Sequence, residues 1–296
     1  LTNLGSTLCL SHEEMIALLI KKGAKVDIED NDGKAPLDYA VERGSSKAAK
    51  IMIDAGAKHN LFSAIMLGDE KAVSKFLEDG ADPNAALSNS LTPLHYAARY
   101  NRMGIAKLLI SKGAKVNALS KRKETPFFIV ASFCIPNVEM LKLLIENGAD
   151  VNMQDEDGRT PLEQVISLCR KQYHAEVAKL LISNGAKVNV KDTSNATPLI
   201  KASRDGLDDV VGILLENGAE VDSMSTSFYE GTSLMCAARY GNVKTIEVLL
   251  KFKANVNLIN RDGKTALDLA DTDEKKTLLK AHGAKTGAEL EAEKQK

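Results

Sequence analysis

The sequence predicts an all-α solenoid of about nine helix-turn-helix units with short β-hairpin fingers, and three observations lead there. Leu/Ile/Val-rich runs end repeatedly in a loop beginning Gly-Ala: Leu18–Asp27, Ile51–Asn60, Lys75–Asn84, Leu108–Asn117, Leu143–Asn152, Leu180–Asn189, Ile213–Asp222 and Leu278–Lys285. A further copy, Leu249–Asn257, carries Lys253 where glycine is expected. From Gly23 to Gly283 these positions are spaced by 33, 24, 33, 35, 37, 33, 35 and 30 residues. A period near 33 marks an array whose units cannot bury their apolar faces alone. Finally, 44% hydrophobic residues with only 4% aromatics and no Trp suit many small Ala/Leu/Val interfaces better than one large core.

One unit, Ser120 to Asn152, shows how each element is specified. In Glu124-Thr125-Pro126 the threonine hydroxyl can cap a helix, and Pro126 fits the first turn because its missing N–H has no partner to lose. An inner helix then runs to about Phe133, followed by a short turn. Val138, Leu141, Leu144 and Ile145 fall at the i, i+3, i+4 spacing of a buried outer-helix stripe. Gly148, just past its end, can take the left-handed conformation that closes the helix. The polar stretch after Asn152, with Asp157-Gly158, reads as a hairpin turn.

The motif TPLHYAARYN (Thr92–Asn101) followed by AKLLISKGAKVN (Ala106–Asn117) closely resembles the ankyrin repeat. So do DGRTPLEQVI (Asp157–Ile166), TPLIKAS (Thr197–Ser203), GTSLMCAARYGN (Gly231–Asn242) and DGKTALDLA (Asp262–Ala270). The resemblance covers about Thr2 to Lys285. It implies stacked helical pairs, fingers at roughly right angles to them, and a curved array with a concave ligand-binding side.

Followed along the chain, this register places each repeat. Thr2–His12 aligns with the inner-helix motif, so repeat 1 lacks only its finger. Repeat 3, residues 61–84, enters its inner helix directly after Asn60 with neither Thr-Pro nor finger, resembling the unit that often opens an ankyrin array. The continuous stripe Val73, Phe76, Leu77 favours a deleted finger in an unbroken stack over a kink between repeats 1–2 and the rest. Repeats 5 and 6 carry insertions, Cys134–Asn137 and Cys169–Ala175, expected to lengthen the loop between their helices. Repeat 8 lengthens its finger over Ser223–Thr232 and places Phe228 and Tyr229 near the hairpin tip. Residues 258–285 form a capping repeat whose strongly charged outer helix, Asp273–His282, suits a face without a neighbour. The array thus occupies residues 1–285, and the charged tail 286–296 is expected as a frayed helix or disordered end.

Chemistry finds little footing. His12, His59, His95, His174 and His282 are scattered without HxxxH or HExxH spacing, and no GxxxxGK[ST], GxGxxG or GxSxG motif occurs. His95 sits in the Thr-Pro-Leu-His motif, where the resemblance implies a structural hydrogen bond at the finger base. Thr197, in the acceptor-like Asn195-Ala196-Thr197, is better read as a helix cap. Asp32-Gly33, Asp157-Gly158 and Asp262-Gly263 are turn residues, since no loop of alternating acids surrounds them. No catalytic residue, metal or cofactor is expected. A net charge of −1 gives no pull toward nucleic acid or anionic lipid. No run approaches the roughly 18 apolar residues of a membrane-spanning helix. Cys9, Cys134, Cys169 and Cys236 lie in different repeats and read as buried free thiols. Such thiols favour the cytoplasm, or a secreted or periplasmic location if a leader was removed before Leu1.

What remains is binding. The resemblance implies contacts at finger tips and at the two exposed positions just after Ala-Ala of each inner helix. The second of these is Leu67, Tyr100, Phe133 and Leu168 in repeats 3 to 6, a run of large apolar residues, and Tyr240 in repeat 8. The first includes Met66, Arg99, Arg204 and Arg239. A contiguous apolar patch rimmed by polar groups marks an interaction site, and Tyr and Arg are the types most enriched at hot spots. Fingers add basic Lys121 and Arg122 beside an acidic Gln154–Asp157 tip, opposite signs that suit a mixed-charge protein better than nucleic acid. The resulting expectation is a monomeric scaffold with one protein partner, bound through the concave stripe of repeats 3–6 and the flanking fingers. Recognition on behalf of a larger or secreted effector, and capture of a small ligand or modified peptide in an aromatic pocket, are the alternatives.

Overall fold

The computed structural model describes residues 12–31, 33–168, 171–225 and 231–295. The chain divides into two compact bodies, residues 1–121 and 122–296. The inner helix expected before His12, Cys9, Cys169, and the finger residues Phe228 and Tyr229 lie outside the described residues.

In the first body α1 (His12–Lys21) precedes three helical pairs: α2 (Pro36–Glu42) with α3 (Ser46–Asp54), α4 (Leu61–Leu67) with α5 (Glu70–Glu78), and α6 (Pro93–Arg99) with α7 (Met103–Ser111). Here the inner helices that follow a finger, α2 and α6, start at a proline, whose missing N–H costs nothing in a first turn. The finger-less repeat uses Asn60 instead. Its Oδ1 accepts the Ser63 N–H at 2.8 Å while Ser63 Oγ accepts the Asn60 N–H at 2.9 Å, a reciprocal box that satisfies two otherwise orphaned donors. Helix α4 packs on both α2 and α6. Repeats 2 and 4 also meet directly over it: the Tyr96 and Tyr100 hydroxyls donate to Val41 O and Gly44 O, each at 3.0 Å. Ser88, in the finger of repeat 4, donates to Glu42 Oε1 at 2.9 Å. Without its own finger, repeat 3 leaves that space open to its neighbours.

The second body continues with α8 (Pro126–Ala131) and α9 (Val138–Glu146), α10 (Pro161–Leu168) and α11 (Lys171–Ser183), α12 (Pro198–Arg204) and α13 (Asp208–Glu216). A hairpin, β1 (Met224–Ser225) and β2 (Gly231–Thr232), is the lengthened finger of repeat 8, with Met224 opposite Thr232. Then come α14 (Ser233–Arg239) with α15 (Val243–Lys251), α16 (Ala266–Leu269) with α17 (Asp273–Ala281), and α18 (Gly287–Lys294). Thr125, Thr197 and Thr232 cap their helices, each hydroxyl accepting the N–H three residues on. Met140, Leu141 and Leu144 bury one face of α9 completely, and Gly148 closes the helix at φ 83°.

Three expectations change. Helix α8 stops at Ala131 rather than at about Phe133, whose N–H turns to Val130 O three residues back instead of continuing the α-helical ladder. The insertion in repeat 6 does not lengthen a loop over its described part. Residues 171–175, free of Gly and Pro, extend α11 to 13 residues. Cys236 is buried, but Cys134, in the turn after α8, is exposed. The tail forms α18, capped by the Thr286–Glu289 box and burying no residue.

Neighbouring repeats are stitched at two edges. Finger backbones join once each: Lys121 N–H to Asn89 O in the first body, Glu156 N–H to Arg122 O and Thr193 N–H to Asp157 O in the second. At the opposite edge, the Asn closing a Gly-Ala loop bonds the next loop twice. Asn189 Nδ2 donates to Gly218 O at 2.9 Å and its Oδ1 accepts the Glu220 N–H at 2.9 Å. Asn84, Asn152 and Asn257 repeat this pattern. Asp27 and Asp222 have no amide donor and make only the accepting bond.

Candidate functional site

The ends of the inner helices carry the residues singled out for contact. Helix carbonyls there lack intrahelical partners, and side chains from the following repeats supply donors. Besides Tyr96 and Tyr100, Arg102 Nη2 reaches Met66 O at 2.7 Å, Asn242 Nδ2 reaches Gly206 O at 2.8 Å, and Lys275 Nζ reaches Ala238 O at 3.1 Å.

In the first body this bonding absorbs much of the expected contact surface. Met66, expected on the exposed face, has no exposed surface. A thioether has no charge to hydrate and packs inward, whereas Arg99, at the corresponding place in α6, stays exposed. Leu67 and Tyr100 are half-buried. A Cβ placed on Gly44, itself at φ 73°, would meet the Tyr100 hydroxyl at 3.0 Å and the Arg99 guanidinium at 3.7 Å, so both side chains lie over that turn. Burial pushes the Tyr96 phenol up to about 12 and the Tyr100 phenol upward as well. Lys34 pairs with Glu42 at 2.8 Å, and this hydrogen-bonded lysine holds the Glu42 carboxyl below its usual range. Lys121 is exposed at its finger.

In the second body the same helix ends are more open. Leu168 is 46% exposed and Tyr240 is 56% exposed. The exposed Arg239 guanidinium stacks over the Tyr240 ring, 5.0 Å from its centroid. Arg204 is half-buried, with Nε 3.6 Å from Asp205 Oδ1. Phe133 is half-buried, and Arg122 pairs with Glu156 at 2.8 Å across two fingers.

Below this surface lies a charged cluster that no motif announces. Lys201 Nζ is 2.7 Å from Asp192 Oδ2 and 3.4 Å from Glu163 Oε1, and all three side chains are buried. Glu163 occupies the place of His95 in its repeat and does the same work. Its Oε2 accepts the Thr160 N–H at 2.9 Å, as His95 Nδ1 accepts that of Thr92 at 3.0 Å. Burial raises the Glu163 carboxyl to about 7 against the pull of Lys201 and the Thr160 N–H. Cys236 is buried, and burial raises its thiol to about 12, although the charges of Arg204 and Arg239 pull it down.

Family models of ankyrin repeats match residues 4–63, 61–155, 127–225 and 214–270. The chain belongs to the ankyrin repeat family. Ankyrin repeats generally mediate protein–protein interactions, and proteins of the family are typically non-enzymatic. The crystal structure of the human ASB11 ankyrin repeat domain superposes with a TM-score of 0.63 at 29% identity, over 76% of this chain and 97% of that one. Neurogenic locus notch homolog protein 1 of Homo sapiens is 32% identical over 129 residues, 40% of this chain and 5% of that protein. An ankyrin repeat-containing protein of Schizosaccharomyces pombe is 36% identical over 70 residues, 24% of this chain and 34% of its own length. The chain therefore spans only a small part of these two relatives. Among the described residues of this ankyrin array, no helix is long and apolar enough to cross a membrane, and no three His, Cys, Asp or Glu side chains are grouped to hold a metal ion.

Proposed function

We propose that this ankyrin array is a non-catalytic scaffold that receives an extended segment of a protein partner along the ends of α10, α12 and α14. The observation that carries the reading is Tyr240: a large ring, 56% exposed, with an exposed arginine stacked on it. An exposed aromatic is costly to leave in water and is among the residue types that dominate interface energetics. Leu168 extends the apolar contact on α10, which packs beside α12 as α12 packs beside α14. Met66 drops out of the surface, while Tyr100 serves first to close repeats 2 and 4 over repeat 3. The groups with displaced proton equilibria also have structural employment: Glu163 caps α10, Tyr96 holds Val41 O, and Cys236 lies in a small apolar cluster with Ala196 and Ile200. Affinity capture from the native cell with the wild-type chain and with Tyr240→Ala tests the reading. A partner retained by the first and lost by the second supports it. Equal retention, with loss on Lys187→Ala, would move the site to the opposite edge.

A further inference from the structure

We propose that Asn147-Gly148, Asn184-Gly185 and Asn217-Gly218, in repeats 5, 6 and 7, are deamidation sites that the stacked array holds shut and that, once modified, uncouple neighbouring repeats. Each pair follows an outer helix, α9, α11 or α13, and all of these asparagines and glycines are exposed to water. The other Gly-Ala loops put Lys22, Ala55, Asp79, Lys112 or His282 before the glycine, so the amide is confined to three consecutive repeats.

Asparagine amides are thermolabile, and the chemistry needs only the chain and water. The glycine nitrogen, having lost its proton to solvent, attacks Cγ of the preceding asparagine. An N–Cγ bond forms, the Cγ–Nδ2 bond breaks, and the leaving nitrogen takes a proton from water to depart as ammonia. Water then opens the succinimide at either carbonyl, leaving aspartate or an isoaspartyl residue whose main chain is longer by a methylene. Glycine favours the first step because no side chain shields its nitrogen. A Cβ added at Gly148, Gly185 or Gly218 would meet nothing within 4 Å, so the space beside each is open.

In the folded array both reacting groups are tied elsewhere. Asn147, Asn184 and Asn217 Nδ2 donate back to Leu143 O, Leu180 O and Ile213 O at 2.8, 2.8 and 2.7 Å, the direction helical side chains take, away from the following peptide. The Gly148, Gly185 and Gly218 N–H groups donate to Ile145 O, Ile182 O and Leu215 O at 3.0, 3.0 and 3.1 Å. Ring closure breaks both bonds, so it runs through a locally opened repeat.

The glycine carbonyls make the lesion more than local. Gly185 O accepts Asn152 Nδ2 and Gly218 O accepts Asn189 Nδ2, each at 2.9 Å, the bridges from the preceding loops. An isoaspartyl link lengthens the chain there, withdrawing the carbonyl from the bridge and the glycine N–H from its helix. It also sets a carboxylate among the orphan carbonyls at the negative end of a helix. Plain aspartate is tolerated in this place, as Asp79 before Gly80 shows at the end of α5.

Peptide mapping by mass spectrometry tests the sites, with the full chain held in mildly alkaline buffer either folded or unfolded in guanidinium chloride. Conversion at all three asparagines should run roughly tenfold or more faster in the unfolded chain, because the folded chain reacts only through its rarely open fraction. Chain modified while unfolded and then returned to buffer should unfold at lower denaturant, and in separate steps, compared with chain unfolded and refolded without the incubation. The combined variant Asn147→Gln, Asn184→Gln, Asn217→Gln closes its larger ring far more slowly and should keep its transition after the same treatment, with circular dichroism confirming its fold beforehand. Equal conversion in the folded and unfolded chain, or none in either, would overturn the protected sites. An unchanged transition after modification, or the same loss in the glutamine variant, would overturn the uncoupling.

Discussion

Tyr100 shows how one residue can carry two readings. Its place after Ala-Ala suits contact with a partner, yet its hydroxyl holds Gly44 O two repeats away and its ring is half-buried. Tyr100→Phe should therefore cost about 1 kcal/mol of stability in chemical denaturation, the net value of a neutral hydrogen bond. Tyr100→Ala should cost more, since it also removes packing against Tyr96. An unchanged unfolding midpoint for both would show that the ring serves only the surface. Glu163 makes the second residue-scale prediction. Its carboxyl binds protons more readily in the fold, near 7, than at the ordinary 4.5. Its stabilising protonation is complete below the unfolded value and is lost as pH rises through about 7. Stability should therefore decline from about pH 5 to pH 8 by a component that Glu163→Gln removes, because Gln keeps the capping bond without the charge. Identical pH slopes for wild type and variant would contradict the buried cluster.

At the scale of elements, much was legible in the sequence because each signal is local. Thr125-Pro126 and Thr197-Pro198 mark helix starts within a single turn, and Gly148 marks a stop. The absence of Thr-Pro before Leu61 marks the finger-less repeat, although no motif marks the Asn60–Ser63 box that replaces it. What stayed hidden depends on neighbours far along the chain. The bonds from Tyr96 and Tyr100 cross 55 and 56 positions, and Lys201 meets Glu163 only because two repeats stack. Burial of Met66 was equally unreadable, since its place in the motif is the one Arg99 fills exposed. Lys253 is a local signal with an energetic consequence. It adopts φ 62° at the end of α15, where every corresponding loop has glycine. A side chain in that region costs roughly 1–2 kcal/mol, partly offset by the freedom glycine loses on folding. Lys253→Gly should thus raise stability by about 1 kcal/mol, and a neutral or negative change would mean that the lysine side chain compensates for its backbone.

For the molecule as a whole, stability is a sum over repeats and their interfaces rather than the property of one core. Leu144, fully buried in α9, should cost about 2–5 kcal/mol as Leu144→Ala. Because it lies inside the array, its loss should split unfolding into separate steps. Leu279→Ala, equally buried but in the capping repeat, should mainly loosen the C-terminal end. Equal effects on global unfolding would contradict the one-dimensional picture. The same scale holds the functional claim, since ankyrin repeats generally mediate protein–protein interactions. The most direct measurement is the affinity of the captured partner for Tyr240→Ala, with Lys187→Ala as control and thermal stability recorded on both. Lys187 contributes its backbone N–H to the Asn152 bridge, which alanine preserves. The account predicts a loss of more than about 1 kcal/mol in binding for Tyr240→Ala with stability unchanged, and little effect for the control. Intact affinity for Tyr240→Ala beside a loss for Lys187→Ala would contradict it.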